Sequence, residues 1–371
     1  MNADTTSHTT PAVPSAQPDD LLAEGARARK LAMDMEGVKS LVEGVRLVND
    51  TILAHVLFAL WDSGFYEFSL THPRFQVEEA AEQLHLDATL LQWLLNYLVG
   101  RGILHATDGL MELTEHGARL SNMLLRGTMN LYLGGYGSLL ANIGPLLRKE
   151  LARTDLERLR SGRHTGMGTE QLTSIRLVPA VLKILDRRKL NRVLHLACST
   201  GGFLTQLARS DPSLQGIGID KSAQKVAKAH ENVSRLGLDS RIRFVTAEVG
   251  VDPLPLDEQS HSAIDVIMSI YLLHEIGRHG KQRIVEVLRQ IKRSFPGRLF
   301  LFTETLPADT VTLGKKPPAT FSQLDYLLIH RVRGRGLPLP SAEWKAILED
   351  AGLKLLEVQE IHWIGLYLAE L

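Results

Sequence analysis

The sequence predicts an α/β fold in its second half, a doubly wound sheet with helices on both faces, preceded by a mainly helical region. From residue 191 onward, short apolar runs that suit buried strands alternate with stretches that suit helices. Before that point, apolar residues recur at helical spacing. The 371 residues leave room for two domains on the usual prior of ~100–200 residues each.

Composition and pattern divide the chain into four expected regions. Residues 1–20 are rich in Thr, Pro, Ala and Ser and predict a disordered tail that lacks the apolar core of a secretory signal. Residues 21–125 predict a helical domain, and residues 126–190 predict connecting helices that line a pocket. Residues 191–371 form the expected α/β domain.

Two stretches of the connecting region have unusual composition. The uncharged run Gly127–Leu147 contains five glycines and Pro145, and it predicts buried helices or a pocket wall rather than a membrane span. Leu156–Thr169 is polar and glycine-containing, so it predicts a linker or mobile loop before a helix over Glu170–Asp186.

A winged-helix pattern of helix, turn, helix and hairpin covers residues 77–113. The second helix is expected over Ala88–Val99, and Asp108-Gly109 between short alternating runs predicts the hairpin. DNA binding needs basic side chains, yet residues 75–120 carry seven acidic and two basic residues, and the second helix has no Lys or Arg. We therefore expect packing or dimerisation. A DNA-reading regulator, which a gel shift at low salt would reveal, stays the alternative.

Overall charge and cysteine content give no reason to expect nucleic acid or membrane as partner. Lys and Arg together number 42, as do Asp and Glu, so the formal net charge is zero. Cys198 is the single cysteine, which excludes an internal disulfide and indicates a reducing compartment. The expected location is cytoplasmic.

The turn after the first predicted strand of the α/β domain points to a ligand. Ala197, Ser199 and Gly201 are small, and small residues let backbone N–H groups approach a ligand at the start of the next helix. Asp220, at the end of the second strand, suits ribose hydroxyls, and Glu248, at the end of the third, suits an adenine amino group. Because the carboxyl ends of parallel strands meet at one edge, these residues predict a nucleoside site.

These segments resemble the catalytic domain of class I S-adenosylmethionine-dependent methyltransferases. The matching segments are Val193–Gly201 (the first motif), Gly218–Asp220 (the ribose-binding strand end), Ala247–Val249 (the adenine segment), Leu272–Glu275 (the base segment), Phe302–Pro307 (the fifth strand end) and Ser341–Gly352 (the late helix). Past residue 20, the chain is similar to the small-molecule O-methyltransferase family, in which a winged-helix dimerisation domain precedes this Rossmann-like fold.

The resemblance implies a Rossmann-like methyltransferase sheet of seven strands with an antiparallel last strand, S-adenosylmethionine as cofactor and a homodimer. It implies methyl transfer to O, N or C of a small-molecule acceptor, such as a secondary-metabolite intermediate. His274 is the implied general base and Glu304 the carboxylate that orients it. The implied cofactor-binding residues are Ala197, Ser199, Gly201, Asp220, Lys221, Glu248, Val249 and Ser269. Tyr132, Tyr136 and Tyr271 are candidate pocket walls.

The sequence departs from the family at its first motif. His195 stands where the family has an acid, Ala197 and Ser199 stand where it has glycines, and Arg333–Leu337 lacks the acid expected before the late helix. A side chain at these glycine positions can crowd the cofactor or oppose a positive φ. A family member that keeps the cofactor without methylating is therefore an alternative. A nicotinamide dehydrogenase would need a full Gly-x-Gly-x-x-Gly motif and a second mononucleotide half, and the chain lacks both.

The predicted site contains no metal. The alternative is a facial triad of two histidines and one carboxylate, formed by His274, Glu275 and His330. Metal analysis of the purified protein decides between these two predictions.

Overall fold

The computed structural model describes residues 35–250, 254–307, 323–334, 336 and 338–371. The predicted tail, residues 1–20, lies outside the described residues. The chain divides into two compact units, one that ends at Asp62 and one that comprises Ser63–Leu371. The predicted boundaries after residues 125 and 190 therefore both fall inside the second unit.

One helix, α1 (Met35–Asp62), makes up the described part of the first unit. The apolar spacing of residues 21–64 predicts two helices, the second of which ends at Gly64. No proline interrupts the stretch between Val48 and Ile52, and the described helix is continuous. Within the described residues, Gly37–Asp62 is the one helix that is long and apolar enough to cross a membrane, on length and composition alone.

The second unit begins with the predicted winged-helix order. Its elements are α2 (Phe65–Thr71), α3 (Val77–Leu84), α4 (Ala88–Gly100), β1 (Leu104–Thr107) and β2 (Leu110–Leu113). Asp87 caps α4 by accepting a hydrogen bond from the Leu90 backbone N–H at 2.8 Å. Strands β1 and β2 pair antiparallel, and Phe75 adds an antiparallel bridge to Met111. The Asp-Gly signal predicted this hairpin correctly.

The stretch from Glu115 to Arg188 is mainly helical, including residues predicted as a linker. It contains α5 (Glu115–Leu120), α6 (Met123–Met129), a π-helical turn (Asn130–Gly135), α7 (Gly137–Ala141), α8 (Ile143–Leu147), a 3₁₀ turn (Arg153–Leu159) and α9 (Gly162–Arg188). The prediction of a linker over Leu156–Thr169 was wrong, because Ser161 caps a helix that begins at Gly162.

Two glycines, Gly168 of α9 and Gly135 of the π-helical turn, serve close packing rather than flexibility. A Cβ at Gly168 would lie 2.5 Å from the Leu131 backbone nitrogen and 2.7 Å from the Gly127 carbonyl oxygen. A Cβ at Gly135 would lie 2.6 Å from the Thr165 side chain. The backbones of the two segments therefore approach more closely than any side chain allows, and this contact outweighs the poor helix propensity of glycine.

A seven-stranded sheet forms the α/β part. Its strands are β3 (Arg192–Leu196), β4 (Gln215–Asp220), β5 (Ile242–Thr246), β6 (Val266–Ile270), β7 (Leu299–Thr305), β8 (Lys354–Ile361) and β9 (Ile364–Glu370), in the order β5-β4-β3-β6-β7-β9-β8. The last strand, β9, runs antiparallel to both β7 and β8. The predicted doubly wound sheet with its antiparallel last strand is confirmed.

Helices cover both faces of this sheet. The helices between its strands are α10 (Gly202–Ser210), α11 (Ala223–Arg235), α12 (Glu258–Ala263), α13 (Leu273–Ile276), α14 (Lys281–Ser294), α15 (Gln323–Arg333) and α16 (Ser341–Asp350). Helices α9, α10 and α11 share one buried cluster with Met268, whereas α14 and α16 share another with Ile267. Successive residues of one strand thus face opposite cores, as the period of two requires.

Candidate functional site

A cavity of about 580 Å³ lies at the carboxyl ends of the parallel strands. Its wall includes residues that directly follow β3, β4, β5 and β6, and residues of α9 and α15. The strand order reverses between β3 and β6, and open α/β sheets bind ligands at such a point.

The turn that follows β3 has three residues in the conformation that favours glycine, and only one of them is a glycine. Ala197 has φ 53°, Ser199 φ 54° and Gly201 φ 76°, so all three adopt the left-handed conformation. Two of them bear a side chain, at a cost of roughly 1 kcal/mol each. Ala197 and Ser199 line the cavity, whereas Gly201 faces away from it, since a Cβ there would overlap the Phe244 ring.

Asp220 lies in the cavity wall at the end of β4 and organises the turn beside it. Its Oδ2 accepts a hydrogen bond from the Ser199 backbone N–H at 3.0 Å, and its Oδ1 accepts one from the Ser222 N–H at 2.9 Å. A carboxylate has about four acceptor sites, so both oxygens can still accept a ligand hydroxyl. Asp220 therefore supports the loop and also presents acceptor sites to the cavity.

The other predicted cofactor residues differ in placement. Lys221 and Glu248 line the cavity and form an exposed ion pair, with Nζ to Oε1 at 3.6 Å, and Val249 lines it beside them. Ser269 is fully buried within β6 and is not part of the cavity wall. The structure thus brings six of the eight predicted residues to one wall and places Gly201 and Ser269 behind it.

Sequence reasoning missed Glu170, an acidic residue in the same wall. A Cβ on Gly202 would overlap the Glu170 carboxyl group, so this carboxylate lies directly against the first residue of α10. Burial raises its pKa, and a hydrogen bond from Gln206 only partly opposes that shift. None of the described ion pairs gives Glu170 a cation. Glu170 is the first residue after the predicted linker, and no spacing in the sequence identified it as a site residue.

His195 replaces the acid of the family's first motif and cannot act in its place. The imidazole is buried in the central strand β3, and burial lowers its pKa to about 4. Its Nδ1 forms no hydrogen bond with any described residue. His195 is therefore neutral at pH 7 and cannot supply the negative charge that an acid there would supply.

His274 and Glu304, the predicted catalytic pair, lie in direct contact. His274 Nδ1 is 2.6 Å from Glu304 Oε2, and Glu304 Oε1 accepts from the backbone N–H of Leu273 at 2.7 Å. Burial lowers the pKa of His274, but the Glu304 carboxylate and its hydrogen bond outweigh it, so the pKa is raised overall. His274 lines the cavity, whereas Glu304 lies behind it and fixes the ring.

Three further residues complete a buried polar cluster around His274. Glu275 Oε1 lies 3.8 Å from His274 Nε2, and the rings of His274 and His330 are 5.5 Å apart between centroids. Arg333, which is 4% exposed, donates to Glu275 Oε1 and to Glu157 Oε1, both at 3.2 Å. Arg333 thus lies in the segment before the late helix where the family pattern has an acid.

Aromatic side chains form the rest of this end of the cavity. Tyr136 and Tyr271 line it as predicted, and Tyr326 and Trp363 line it as well. Tyr132 is not among the cavity-lining residues. Burial raises the pKa of Tyr271 and of Tyr326 well above the ordinary value, so both phenols are neutral and act as hydrogen-bonding, largely apolar walls.

Comparison with known proteins identifies the class of domain. Residues 187–306 match the family described as "Methyltransferase domain". Among curated proteins, the 23S rRNA (uracil(1939)-C(5))-methyltransferase RlmD of Xanthomonas campestris pv. campestris is 33% identical over 109 residues, which are 26% of this chain and 24% of that protein. The chain thus spans at most about a quarter of the length of the curated relatives it matches.

Solved structures cover nearly the whole chain. Human N-acetylserotonin methyltransferase superposes with a TM-score of 0.62 at 17% identity, over 88% of this chain and 97% of that one. An O-methyltransferase family protein from Burkholderia thailandensis superposes with a TM-score of 0.57 at 20% identity, over 89% and 97%. The chain therefore has the fold of these methyltransferases, with a helical N-terminal region, and residues 187–306 match the methyltransferase-domain family.

Proposed function

We propose that the chain is an enzyme that transfers a methyl group from S-adenosylmethionine to a small-molecule acceptor, as the sequence predicts. One observation carries the proposal: a single cavity joins the Asp220 end of the sheet to the buried His274–Glu304 pair. S-Adenosylmethionine supplies the transferable methyl group when it is bound. The chain's own task is to hold donor and acceptor in line and to exclude water.

The residues of the cavity suit this cofactor. Asp220 has acceptor sites left for ribose hydroxyls, and Glu248 at the end of the neighbouring strand suits an adenine amino group. The turn over residues 197–201 keeps the left-handed residues that expose backbone N–H groups to a ligand. Ala197 and Ser199 therefore add side chains to the site while they adopt the left-handed conformation that glycine adopts readily.

Glu170 supplies the negative charge that His195 lacks. S-Adenosylmethionine carries an ammonium and a sulfonium group, and a partly buried carboxylate without a cationic partner is suited to a cation. Glu170 lies against Gly202, next to the turn that receives the amino-acid end of the cofactor in the family. We assign Glu170 to the binding of the ammonium group of the cofactor.

His274 is the proposed general base in the protein without a bound metal ion. Nδ1 of His274 contacts the Glu304 carboxylate, so Nδ1 carries the ring proton of the neutral imidazole and Nε2 keeps the lone pair. Nε2 can then take the proton of an acceptor, while Glu304 stabilises the imidazolium that forms. The surrounding Tyr136, Tyr271 and Tyr326 favour a flat, largely apolar acceptor such as an aromatic secondary metabolite.

Calorimetric titration with S-adenosylmethionine and S-adenosylhomocysteine, with NAD as control, tests the cofactor. Transfer of label from methyl-labelled cofactor to a panel of phenols, amines and enolisable acids then tests the reaction. Binding without transfer to any acceptor would favour the non-methylating alternative. Absence of binding at millimolar ligand would contradict the proposal.

A homodimer through the N-terminal region is also proposed. Helix α1 exposes large apolar side chains along most of its length, at Val38, Leu41, Val42, Val45, Leu47, Val48 and Ile52. A continuous exposed apolar stripe marks an interaction surface. Light scattering tests this proposal: a mass near 82 kDa, about twice the 41.2 kDa chain, supports the dimer, and a mass near that of the single chain contradicts it.

A further inference from the structure

The polar cluster at the acceptor end has the donor set of a metal site, and we infer that His274, Glu275 and His330 bind one divalent transition-metal ion. One ligand atom from each residue lies within 4.8 Å of the other two. Nitrogen and oxygen ligands around such an ion, each at about 2.1 Å, lie roughly 3–4 Å apart. The 3.8 Å between His274 Nε2 and Glu275 Oε1 already falls in that range.

Both imidazoles have the Nδ1 hydrogen bond that is typical of metal-binding histidines. His274 Nδ1 contacts the Glu304 carboxylate at 2.6 Å, and His330 Nδ1 contacts the Tyr326 carbonyl oxygen at 2.9 Å. A ligating histidine nearly always donates its second ring nitrogen to such an acceptor, which fixes the tautomer. Each ring thus keeps the lone pair on Nε2, and within the described chain neither Nε2 forms a hydrogen bond, although both rings are more than nine-tenths buried.

A glycine lies against both rings. Gly336 has φ 61°, and a Cβ there would lie 2.8 Å from the His274 ring and 3.4 Å from the His330 ring. Any other residue at this position would press on both ligands.

The charges of the cluster permit a cation. Three carboxylates contribute negative charge, those of Glu275, Glu304 and Glu157. Two guanidinium groups oppose them: Arg333 contacts Glu275 and Glu157, and Arg160 pairs with Glu157. The net charge around the two neutral imidazoles is therefore −1, so a divalent ion is partly neutralised. Arg333 also restrains the Glu275 carboxylate, which limits the reorganisation that binding requires.

The donor types select the ion and its role. Two imidazoles and one carboxylate favour iron(II), cobalt(II) or zinc over magnesium or calcium. Three protein ligands leave coordination positions open, and all three residues line the cavity. An acceptor with two adjacent oxygen atoms can occupy these positions. This role rests on the proposed function: in the loaded enzyme, the ion rather than His274 activates the acceptor oxygen.

Titration with metal ions tests the site without any reaction. Tag-free protein is stripped with a chelator, and cobalt(II) is added while its visible absorption and heat of binding are recorded. We expect one equivalent to bind, a loss of at least 100-fold in affinity for His330→Gln, and a loss of 10- to 100-fold for Glu304→Gln, which removes only the hydrogen-bond partner of a ligand. The exposed His105→Gln variant is the matched control and should bind as the parent does.

Two results would overturn the inference: no binding by the parent, or equal binding by the parent and His330→Gln. Titration of each variant with S-adenosylhomocysteine shows that the variant is folded and separates the two proposals. Cofactor binding without metal binding would remove the metal site alone, whereas metal binding without cofactor binding would remove the proposed methyl transfer. Finally, oxalate, a bidentate oxygen probe, should shift the cobalt spectrum of the loaded protein. An unchanged spectrum would rule out an acceptor that binds the ion through two oxygen atoms.

Discussion

Glu304 Oε2 lies 2.6 Å from His274 Nδ1 at the end of β7, and both side chains are buried. The other carboxylate oxygen, Oε1, accepts the backbone N–H groups of Leu273 and His274 at 2.7 and 3.3 Å. One carboxylate therefore fixes both the backbone that carries the histidine and the orientation of its ring.

In the protein without a bound metal ion, Glu304→Gln should lower kcat for methyl transfer roughly 100-fold, because an amide cannot stabilise an imidazolium and can present an N–H group to Nδ1. The affinity for S-adenosylhomocysteine should stay within a factor of two, since Glu304 lies behind the cavity wall. Single-turnover rates and calorimetry measure the two effects, with the exposed Glu360→Gln as control. A variant with unchanged kcat would remove Glu304 from the mechanism.

Glu170→Gln should weaken the binding of S-adenosylmethionine about tenfold and leave the binding of adenosine unchanged. The substitution removes a negative charge while keeping the shape of the side chain, and adenosine lacks the cationic groups that this charge would meet. Calorimetry with both ligands makes the comparison, and the exposed Glu258→Gln serves as control. Equal losses for both ligands would place Glu170 in a structural role.

Ala197→Gly combined with Ser199→Gly should stabilise the protein by about 1–2 kcal/mol, because both residues have positive φ. The double variant should also bind S-adenosylhomocysteine more tightly, since its cofactor turn is less crowded. Ala227→Gly, on the exposed face of α11, is the matched control and should destabilise by about 1 kcal/mol. Denaturant unfolding measures both; a double variant that unfolds as readily as the control would show that the turn carries no strain.

The pH dependence of stability should change in His195→Leu. The folded protein holds the pKa of His195 at about 4, below the ordinary value of 6.5, so the unfolded chain takes up this proton first. This residue therefore lowers stability as the pH falls from 6.5 to 4, by on the order of 3 kcal/mol, and has no such effect above pH 7. Thermal unfolding between pH 4 and 8 should show a flatter profile for the variant than for the parent; parallel profiles would contradict the buried, neutral imidazole.

Gly168→Ala should destabilise the protein by about 1–3 kcal/mol, because the new methyl group would overlap the backbone at Leu131 and Gly127. Gly162→Ala, at the start of the same helix, meets no atom within 4 Å and should be neutral or stabilising. The two variants together separate close packing from helix propensity. Equal effects of the two substitutions on stability would show that helix propensity, and not close packing, determines the cost at Gly168.

The sequence predicted best where a local pattern has a single physical meaning. Alternating strands and helices defined the sheet, and strand ends located Asp220 and Glu248 because parallel strands share an edge. The start of helix α9, residues 162–169, was mispredicted as part of a linker, because Gly168 serves a backbone contact with a segment some 40 residues away. Glu170 and Arg333 act through tertiary contacts that no spacing reveals.

Helix α9 also gives the two halves of the cavity a common wall. Gly166 faces the Ser199 side chain, Glu170 lies against Gly202, and Arg176, two turns further on, lines the cavity near Tyr271. A helix moves as a stiff rod, so a shift that improves its fit to one ligand alters the surface offered to the other. Steady-state kinetics should therefore show coupled binding, in which the KM measured for the acceptor changes with occupancy of the donor half.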